Sequence, residues 1–222
     1  MLSRFRPLIP VGIFTAVYTG IAGVVTTRTS NAEFLLYIGV MVIIFAFVAW
    51  LHARITLSAA ALWCLSFWGL AHMAGGLLPV PLTWPIEGNM RVLYSWWIIP
   101  RYLKYDQVIH AYGFGVTTWV CWQGLASAVR PMGNLRPRLG VLVLCMAAGM
   151  GFGATNEVVE FIATLTVPET NVGGYVNTGW DLVSNMAGCT IAAVLIRVFR
   201  RGEVTGEGTE DGTCEDHVVS GP

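Results

Sequence analysis

Hydrophobic residues dominate this chain in six long runs, which are separated by short polar stretches. Each run can supply about 20 helical residues, the length that crosses the ~30 Å hydrocarbon core of a bilayer. The runs are Leu8–Thr27, Glu33–Leu51, Leu57–Leu78, Gln107–Val129, Arg138–Leu165 and Trp180–Phe199. This pattern predicts an all-α, polytopic membrane protein with six transmembrane helices.

Composition supports the same class. The chain has 222 residues, of which 55% are hydrophobic and 12% charged, whereas soluble domains usually carry about 25% charged residues. Residues 1–201 are therefore predicted to form one membrane domain, whose first run is a retained helix and not a cleaved signal peptide. Residues 202–222 are rich in glycine and acidic residues, which predicts a disordered acidic tail. Nothing in the sequence indicates binding to nucleic acid.

The distribution of basic residues predicts the orientation, because Lys and Arg in short loops favour the cytoplasm. With the N-terminus inside, the inner segments hold nine basic residues: Arg4, Arg6, Arg54, Arg130, Arg136, Arg138, Arg197, Arg200 and Arg201. The outer segments hold four: Arg28, Arg91, Arg101 and Lys104. We therefore predict a multi-pass protein of the cell (plasma) membrane with both termini in the cytoplasm.

Four of the predicted helices carry polar side chains that a bilayer disfavours. These are His72, Asp106, His110, Asn156, Glu157, Glu160, Asp181 and Asn185. At about 1.5 Å per residue, each set falls in the outer third of its helix. Ionisable groups at such depth are costly and mark a functional site by default. The sequence therefore predicts one outward-facing polar site.

Several of these residues also have a structural explanation. Asp106 opens its helix and could cap the N-terminal end of the helix dipole. Thr178 and Asp181 have the spacing of a capping box. For His72 or His110 taken alone, a structural histidine with a hydrogen-bond partner is as plausible as a metal ligand. Taken singly, the aspartates favour the structural interpretation.

The glutamates shift the balance towards function. Glu157 and Glu160 lie three residues apart on one helix face, where like charges repel. They also lie near a helix C-terminus, whose dipole disfavours negative charge. Glu157 must then be protonated, bound to a cation, or paired with a protonated His110 or His72. We therefore favour a cation or acid–base cluster over a purely structural network.

Two other features concern helix packing and access. Gly149 and Gly153 have the small-xxx-small spacing of a helix packing face. The longest connection, Pro79 to Tyr105, is dense in proline, tryptophan and tyrosine. It could be a lid over the site or an amphipathic stretch lying on the lipid headgroups.

The ordered motifs resemble a known family. They are AHMAGG at 71–76, YDQVIH at 105–110, NEVVE at 156–160 and DLVSNMAG at 181–188. This set resembles the VanZ-like superfamily of small bacterial membrane proteins, and is most similar to its YjdF-like branch, over roughly residues 71–195. The resemblance implies a link to the cell envelope and supplies no reaction. The chain lacks the glutamine and the arginine that usually flank the acidic residues of the VanZ-type signature.

The leading hypothesis is a metal-assisted hydrolase or transferase that acts on a membrane lipid or lipid-linked cell-envelope substrate. The mixture of imidazole and carboxylate ligands suits Zn, Mn or Fe. The predicted metal ligands are His72, Asp106, His110 and Asp181. Glu157 is the predicted general base, Glu160 orients the groups around the ion, and Asn156 and Asn185 assist cofactor binding.

Two other classes remain open. A proton- or cation-coupled transporter could use the same carboxylates and histidines as a relay, although no inverted repeat is evident. A structural membrane subunit could use the polar layer to fix helix register. The sequence identifies neither the substrate nor any protein partner.

Overall fold

The computed structural model describes residues 8–29, 31–168 and 170–206, with side chains up to residue 200. Six long helices form the body of the protein. They are α1 (Leu8–Thr29), α2 (Ala32–Ile55), α3 (Ala59–Leu77), α4 (Tyr105–Val129), α5 (Leu139–Thr166) and α6 (Tyr175–Gly206). Two short strands, β1 (Trp97–Ile99) and β2 (Leu103–Lys104), and two 3-10 turns, Leu93–Ser95 and Arg130–Met132, complete the described structure.

Five of the six helices are both long and apolar enough to cross a membrane, and α4 is the exception. Helix α4 has 25 residues, but polar side chains such as Gln107 and His110 interrupt its apolar character. Both side chains are buried, because α4 packs against α3, α5 and α6 and makes its most extensive contact with α6. A protein helix surrounded by other helices needs less apolar surface than one facing lipid. The predicted helical membrane protein is confirmed, with five candidate spans and this central sixth helix.

Helix α6 differs from its prediction at both ends. It begins at Tyr175, directly after Gly173 and Gly174, whereas the hydrophobic run alone predicted a start at Trp180. It continues to Gly206, so the boundary predicted at residue 201 falls inside the helix. The remainder of the predicted acidic tail, 207–222, lies outside the described residues.

Successive helices run in opposite directions, so three connections meet at one end of the bundle. We call this the loop end, and define it by residues 78–104 and 167–174 together with the α1–α2 turn. Asn31 caps α2 there, and its side chain accepts a hydrogen bond from the Phe34 N–H at 3.0 Å. The opposite end carries the connections 56–58 and 130–138.

Residues 79–104 fold into a compact cap at the loop end. Strands β1 and β2 pair as an antiparallel hairpin, whose turn places Arg101 in the left-handed region at φ 69°. The Trp84 and Trp96 rings pack with centroids 4.3 Å apart. The Arg91 guanidinium donates to the carbonyls of Pro81 at 2.5 Å and Trp84 at 3.0 Å. These contacts hold the cap together by its own side chains and backbone.

Small residues set the close approach of α4, α5 and α6. A Cβ added at Gly149 would collide with Thr118, and one added at Gly153 would collide with Asn185. Gly151, on another face of α5, has open space around it. The predicted packing face at Gly149 and Gly153 is therefore confirmed. Gly188 of α6 lies closer still, because its Cβ would overlap the Ala111 carbonyl of α4.

Candidate functional site

His110 is the centre of the polar cluster. It lies in the second turn of α4, is only 6% exposed, and faces carboxylates from its own helix and from α5. Its Nε2 is 3.6 Å from Asp106 Oδ1 and 3.8 Å from Glu160 Oε1. Its Nδ1 is 3.6 Å from Glu157 Oε1. One buried imidazole therefore links three carboxyl groups.

Asp106 does not cap α4, so this part of the structural interpretation is wrong. The capping role falls to Gln107, whose side-chain oxygen accepts a hydrogen bond from the Lys104 N–H at 3.0 Å. Asp106 is left free to face His110, one helical turn further on, because residues i and i+4 share a helix face. It remains in the first turn of the helix, and its Oδ2 accepts a long hydrogen bond from Asn177 Nδ2 at 3.5 Å.

The capping box predicted for Thr178 and Asp181 is also wrong, because α6 already begins at Tyr175. Asp181 therefore lies inside the helix and is fully buried. Its Oδ2 accepts a hydrogen bond from Asn177 Nδ2 at 2.5 Å. Its Oδ1 has no hydrogen-bond partner among the described residues. A buried carboxylate oxygen without a partner is costly unless a proton or cation compensates it.

Glu157 shows the same deficiency more strongly. Both of its carboxylate oxygens are buried and accept no hydrogen bond within the described part of the chain. Asn156 and Thr178 lie close by but outside hydrogen-bonding geometry with it. The Asn156 amide donates instead to Glu160 Oε1 at 2.8 Å. Glu157 is thus the least satisfied carboxylate of the cluster.

Asn185 orients the central imidazole. Its Oδ1 lies 3.1 Å from His110 Nδ1, so the ring N–H at Nδ1 donates to the amide oxygen. This arrangement fixes the tautomer and directs Nε2 towards Asp106 and Glu160. Asn185 is fully buried. It belongs to α6, so three helices contribute to the cluster.

The side chains form two overlapping sets that could hold a metal ion. Asp106, His110 and Asp181 make one set, and His110, Glu157 and Glu160 make the other. Within each set the potential ligand atoms lie within 4.8 Å of one another. Two ionised carboxylates at that separation repel by about 3–4 kcal/mol at an effective dielectric constant of ~20. Four carboxylates around one imidazole therefore need protons or a cation.

His72 lies beside the cluster and belongs to neither ligand set. Its Nδ1 forms a hydrogen bond with the hydroxyl of Tyr94, a residue of the cap. Burial raises the pKa of Tyr94 well above its usual value, so the phenol stays protonated. The Tyr37 ring packs against the imidazole with centroids 5.8 Å apart. His72 therefore contacts Tyr37 and Tyr94, and it forms no hydrogen bond or ion pair with the four carboxylates among the described residues.

Sequence reasoning missed two polar residues that support the site, Lys104 and Asn177. Lys104, only 6% exposed, pairs with Glu87 through Nζ and Oε2 at 2.8 Å and donates to Asn177. The sequence does contain a pattern that indicates Asn177, because it precedes Asp181 and Asn185 on one helix face at a spacing of four residues. No such pattern indicates Lys104, since it precedes the first turn of a helix whose start is set by tertiary contacts.

Glu33 is a further buried carboxylate that the sequence did not single out. It lies at the start of α2 and is 4% exposed. Its Oε2 accepts a hydrogen bond from the backbone N–H of Asn171 at 2.9 Å. Asn171 also contacts Ser95 of the cap. Glu33 therefore joins α2 to the connection between α5 and α6 and closes the loop end around the cluster.

Two cavities meet at the cluster. The first, here called the vestibule, has a volume of about 1000 Å³ and lies between the cap and residues 168–180. Tyr94, Asp106 and Asn177 line it. The second, here called the groove, has a volume of about 540 Å³ and lies among α1, α2 and α3. His72, Asn156 and Glu160 line its end nearest the cluster. The carboxylates thus lie between the vestibule, whose lining includes charged and amide side chains, and the apolar groove.

Comparison with known proteins identifies a family. The model of a family described as "Predicted membrane protein (DUF2238)" matches residues 9–202, which include every member of the polar cluster. No curated protein and no solved structure matches the chain.

Proposed function

We propose that the buried cluster of this chain, which belongs to the DUF2238 family of predicted membrane proteins, is the active centre of a membrane enzyme. The enzyme is a divalent-metal-assisted hydrolase or transferase. Its substrate is a membrane lipid or a lipid-linked precursor of the cell envelope.

The observation that carries this proposal is the imbalance of charge around His110. Four carboxylates share one buried imidazole, and oxygens of Glu157 and Asp181 lack hydrogen-bond partners among the described residues. A structural network normally satisfies its buried polar atoms. A divalent cation would relieve the repulsion and use the unsatisfied oxygens as ligands. Imidazole with carboxylates suits Zn, Mn or Fe.

The geometry suggests a division of roles. Asp106, His110 and Asp181 hold the ion, with His72 as a neighbouring group linked through Tyr94 rather than a direct ligand. Glu157 takes a proton from the attacking water or alcohol and returns it to the leaving oxygen. The ester or phosphoester bond to that leaving oxygen breaks as the new bond forms. Glu160 and the two amides, Asn156 and Asn185, orient these groups.

The cellular setting is part of the same proposal. The excess of basic residues at the opposite end of the bundle favours a plasma-membrane protein with cytoplasmic termini, so the loop end faces outwards. The resemblance to the VanZ-like superfamily, and to its YjdF-like branch, supports a link to the cell envelope. An outward-facing centre at this depth has access to lipid headgroups from the vestibule.

The test is metal content measured by elemental analysis on the full-length protein, purified in detergent without an affinity tag. We expect close to one divalent ion per chain in the wild type, a loss of at least tenfold in His110→Asn and Asp181→Asn, and a smaller loss in Glu157→Gln, which removes a neighbouring charge but no ligand. Glu33→Gln is the matched control, because it replaces a buried carboxylate outside the cluster and should leave the metal content unchanged. Incubation of the loaded protein with a bacterial lipid extract, followed by mass spectrometry, then identifies the lipid consumed.

The other functional classes predict different results. A proton- or cation-coupled transporter shows solute flux in proteoliposomes that Glu157→Gln abolishes, with no bound metal in the wild type. A structural subunit shows no metal, no flux and no lipid turnover, and its cluster variants change stability alone. Either pattern would reject the enzyme.

A further inference from the structure

We propose that the groove among α1, α2 and α3 binds one acyl chain of the substrate lipid and presents its polar end to the cluster. This inference rests on the proposed function, because it names the part of the substrate that the enzyme holds. It also makes a separate physical claim, namely that a lipid tail occupies this defined groove rather than the general lipid boundary.

The lining of the groove is apolar along most of its length. Each of the three helices contributes aliphatic or aromatic side chains, including Val11, Ala16, Val40, Phe45, Val48 and Leu62. Among the polar exceptions, Thr15 and Ser66 hydrogen-bond to each other at 2.6 Å, whereas the buried Thr19 hydroxyl has no hydrogen-bond partner among the described residues. Such a surface can bury hydrocarbon and offers no continuous polar path for an ion. This lining favours an acyl chain over a transported solute.

The length of the groove matches one lipid tail. It extends along α2 from Tyr37 to Ala49, which is about 18 Å at ~1.5 Å per residue. One leaflet contributes about half of the ~30 Å hydrocarbon core. A single tail that enters at the level of the cluster therefore reaches close to the far end of the groove. The volume of about 540 Å³ also falls within the usual range of small-molecule sites.

The polar end of the groove explains why the occupant is a substrate and not merely boundary lipid. His72, Asn156 and Glu160 line this end, and Glu160 Oε1 is 3.8 Å from His110 Nε2. The vestibule begins on the other side of the cluster, at Asp106. A lipid with its tail in the groove and its headgroup in the vestibule therefore passes its ester or phosphate linkage by the carboxylates.

Two glycines of α1 allow the groove to be filled without disturbing the packing. Gly12 and Gly20 line it, and a Cβ at either position meets no other atom within 4 Å. They are eight residues apart, or about 12 Å along the helix. Gly20 lies nearer the loop end and Gly12 nearer the opposite end. Gly23 of the same helix also has open space around it and does not line the groove.

The experiment is photo-crosslinking of full-length protein in nanodiscs with a palmitoyl glycerol that carries a diazirine on its terminal carbon. Peptide mapping should place the crosslinks near Gly12, Val48 and Leu62. Gly20→Leu should reduce these crosslinks roughly tenfold, equivalent to about 1.4 kcal/mol. Gly12→Leu should reduce them for the palmitoyl probe and spare a shorter-chain probe. Gly23→Leu, at matched thermal stability, should behave as the wild type.

Three results would overturn the acyl-chain site. The first is crosslinks spread evenly over all lipid-facing helices. The second is equal crosslinking in Gly20→Leu and Gly23→Leu. The third is evidence that a second copy of the protein, and not the lipid probe, occupies the groove. The enzyme proposal is tested independently by repeating the mapping in His110→Asn. If the groove crosslinks persist in His110→Asn and the wild type holds no metal, the acyl-chain site is supported and the proposed chemistry is rejected. If the wild type binds metal and no groove crosslinks form, the proposed chemistry is supported and the acyl-chain site is rejected.

Discussion

Replacing Glu157 with glutamine should stabilise the metal-free protein and reduce the stabilisation that added metal provides. The substitution keeps the shape of the side chain and removes its charge. The carboxylate interacts electrostatically with Asp106, Glu160 and Asp181 and lies 3.6 Å from His110. With His110 protonated, these neighbours together carry two negative charges. Even one net charge at about 5 Å costs about 3 kcal/mol at an effective dielectric constant of ~20. Shared protons reduce this cost, so we expect Glu157→Gln to stabilise the metal-free protein by about 1–3 kcal/mol.

The assay is thermal unfolding of purified protein in detergent with a chelator, and again with added metal. For a chain of this size, 1 kcal/mol corresponds to about 2–4 °C in Tm. Glu157→Gln should therefore raise the Tm by about 2–12 °C in chelator. Metal at 100 times its Kd should stabilise the wild type by about 2.7 kcal/mol. If the variant binds tenfold more weakly, it loses about 1.4 kcal/mol of that gain.

The control is Glu33→Gln, because the Glu33 carboxylate is buried outside the cluster and accepts the hydrogen bond from Asn171. It should show neither the rise in chelator nor the loss of metal response. A fall in the Tm of Glu157→Gln in chelator, relative to the wild type, would refute the reasoning. That result would make Glu157 a structural member of a satisfied network.

Three further predictions follow from the same geometry. Asp106→Asn removes a ligand from one metal set, and Glu160→Gln removes a ligand from the other. Elemental analysis should show a larger loss of metal in the variant whose set holds the ion. Full retention of metal in both variants would contradict a metal site. Gly188→Ala should lower the Tm in detergent by about 2–12 °C, because overpacking against the α4 backbone costs about 1–3 kcal/mol. Gly151→Ala should leave the Tm unchanged, because its added methyl group meets open space. Metal affinity, measured by titration at several pH values, should fall as pH falls, because protons compete for carboxylate and imidazole ligands; a pH-independent affinity would exclude these ligands.

The candidate site was partly predictable because helical periodicity relates residues within each segment. The spacing of Asp106 and His110 places both on one face of α4, and the same rule joins Asp181 to Asn185 on α6. Depth along each helix then indicated that these pairs would lie at one level. The roles of the aspartates were harder to predict, because a capping interaction depends on where the helix begins. Helices α4 and α6 both begin earlier than their hydrophobic runs do.

His72 illustrates what depth cannot supply. It lies at the predicted depth in the membrane, yet its imidazole forms a hydrogen bond with Tyr94 of the cap and not with a carboxylate of the cluster. Rotation of α3 about its axis decides this difference, and the rotation is set by packing against Tyr37 and the cap. No local pattern encodes such a contact, because the partners are 22 and 35 positions away in the sequence.

The sequence by itself determined the class of the protein, the approximate helices and the membrane level of the polar layer. These properties follow from hydrophobicity and from the fixed rise and turn of a helix, which are local. The tertiary structure alone decided that His110 is shared by two ligand sets, that Gln107 rather than Asp106 caps α4, and that a polar vestibule and an apolar groove meet at the cluster. Those outcomes depend on how helices rotate and approach one another, a choice made by close packing at residues such as Gly149 and Gly188.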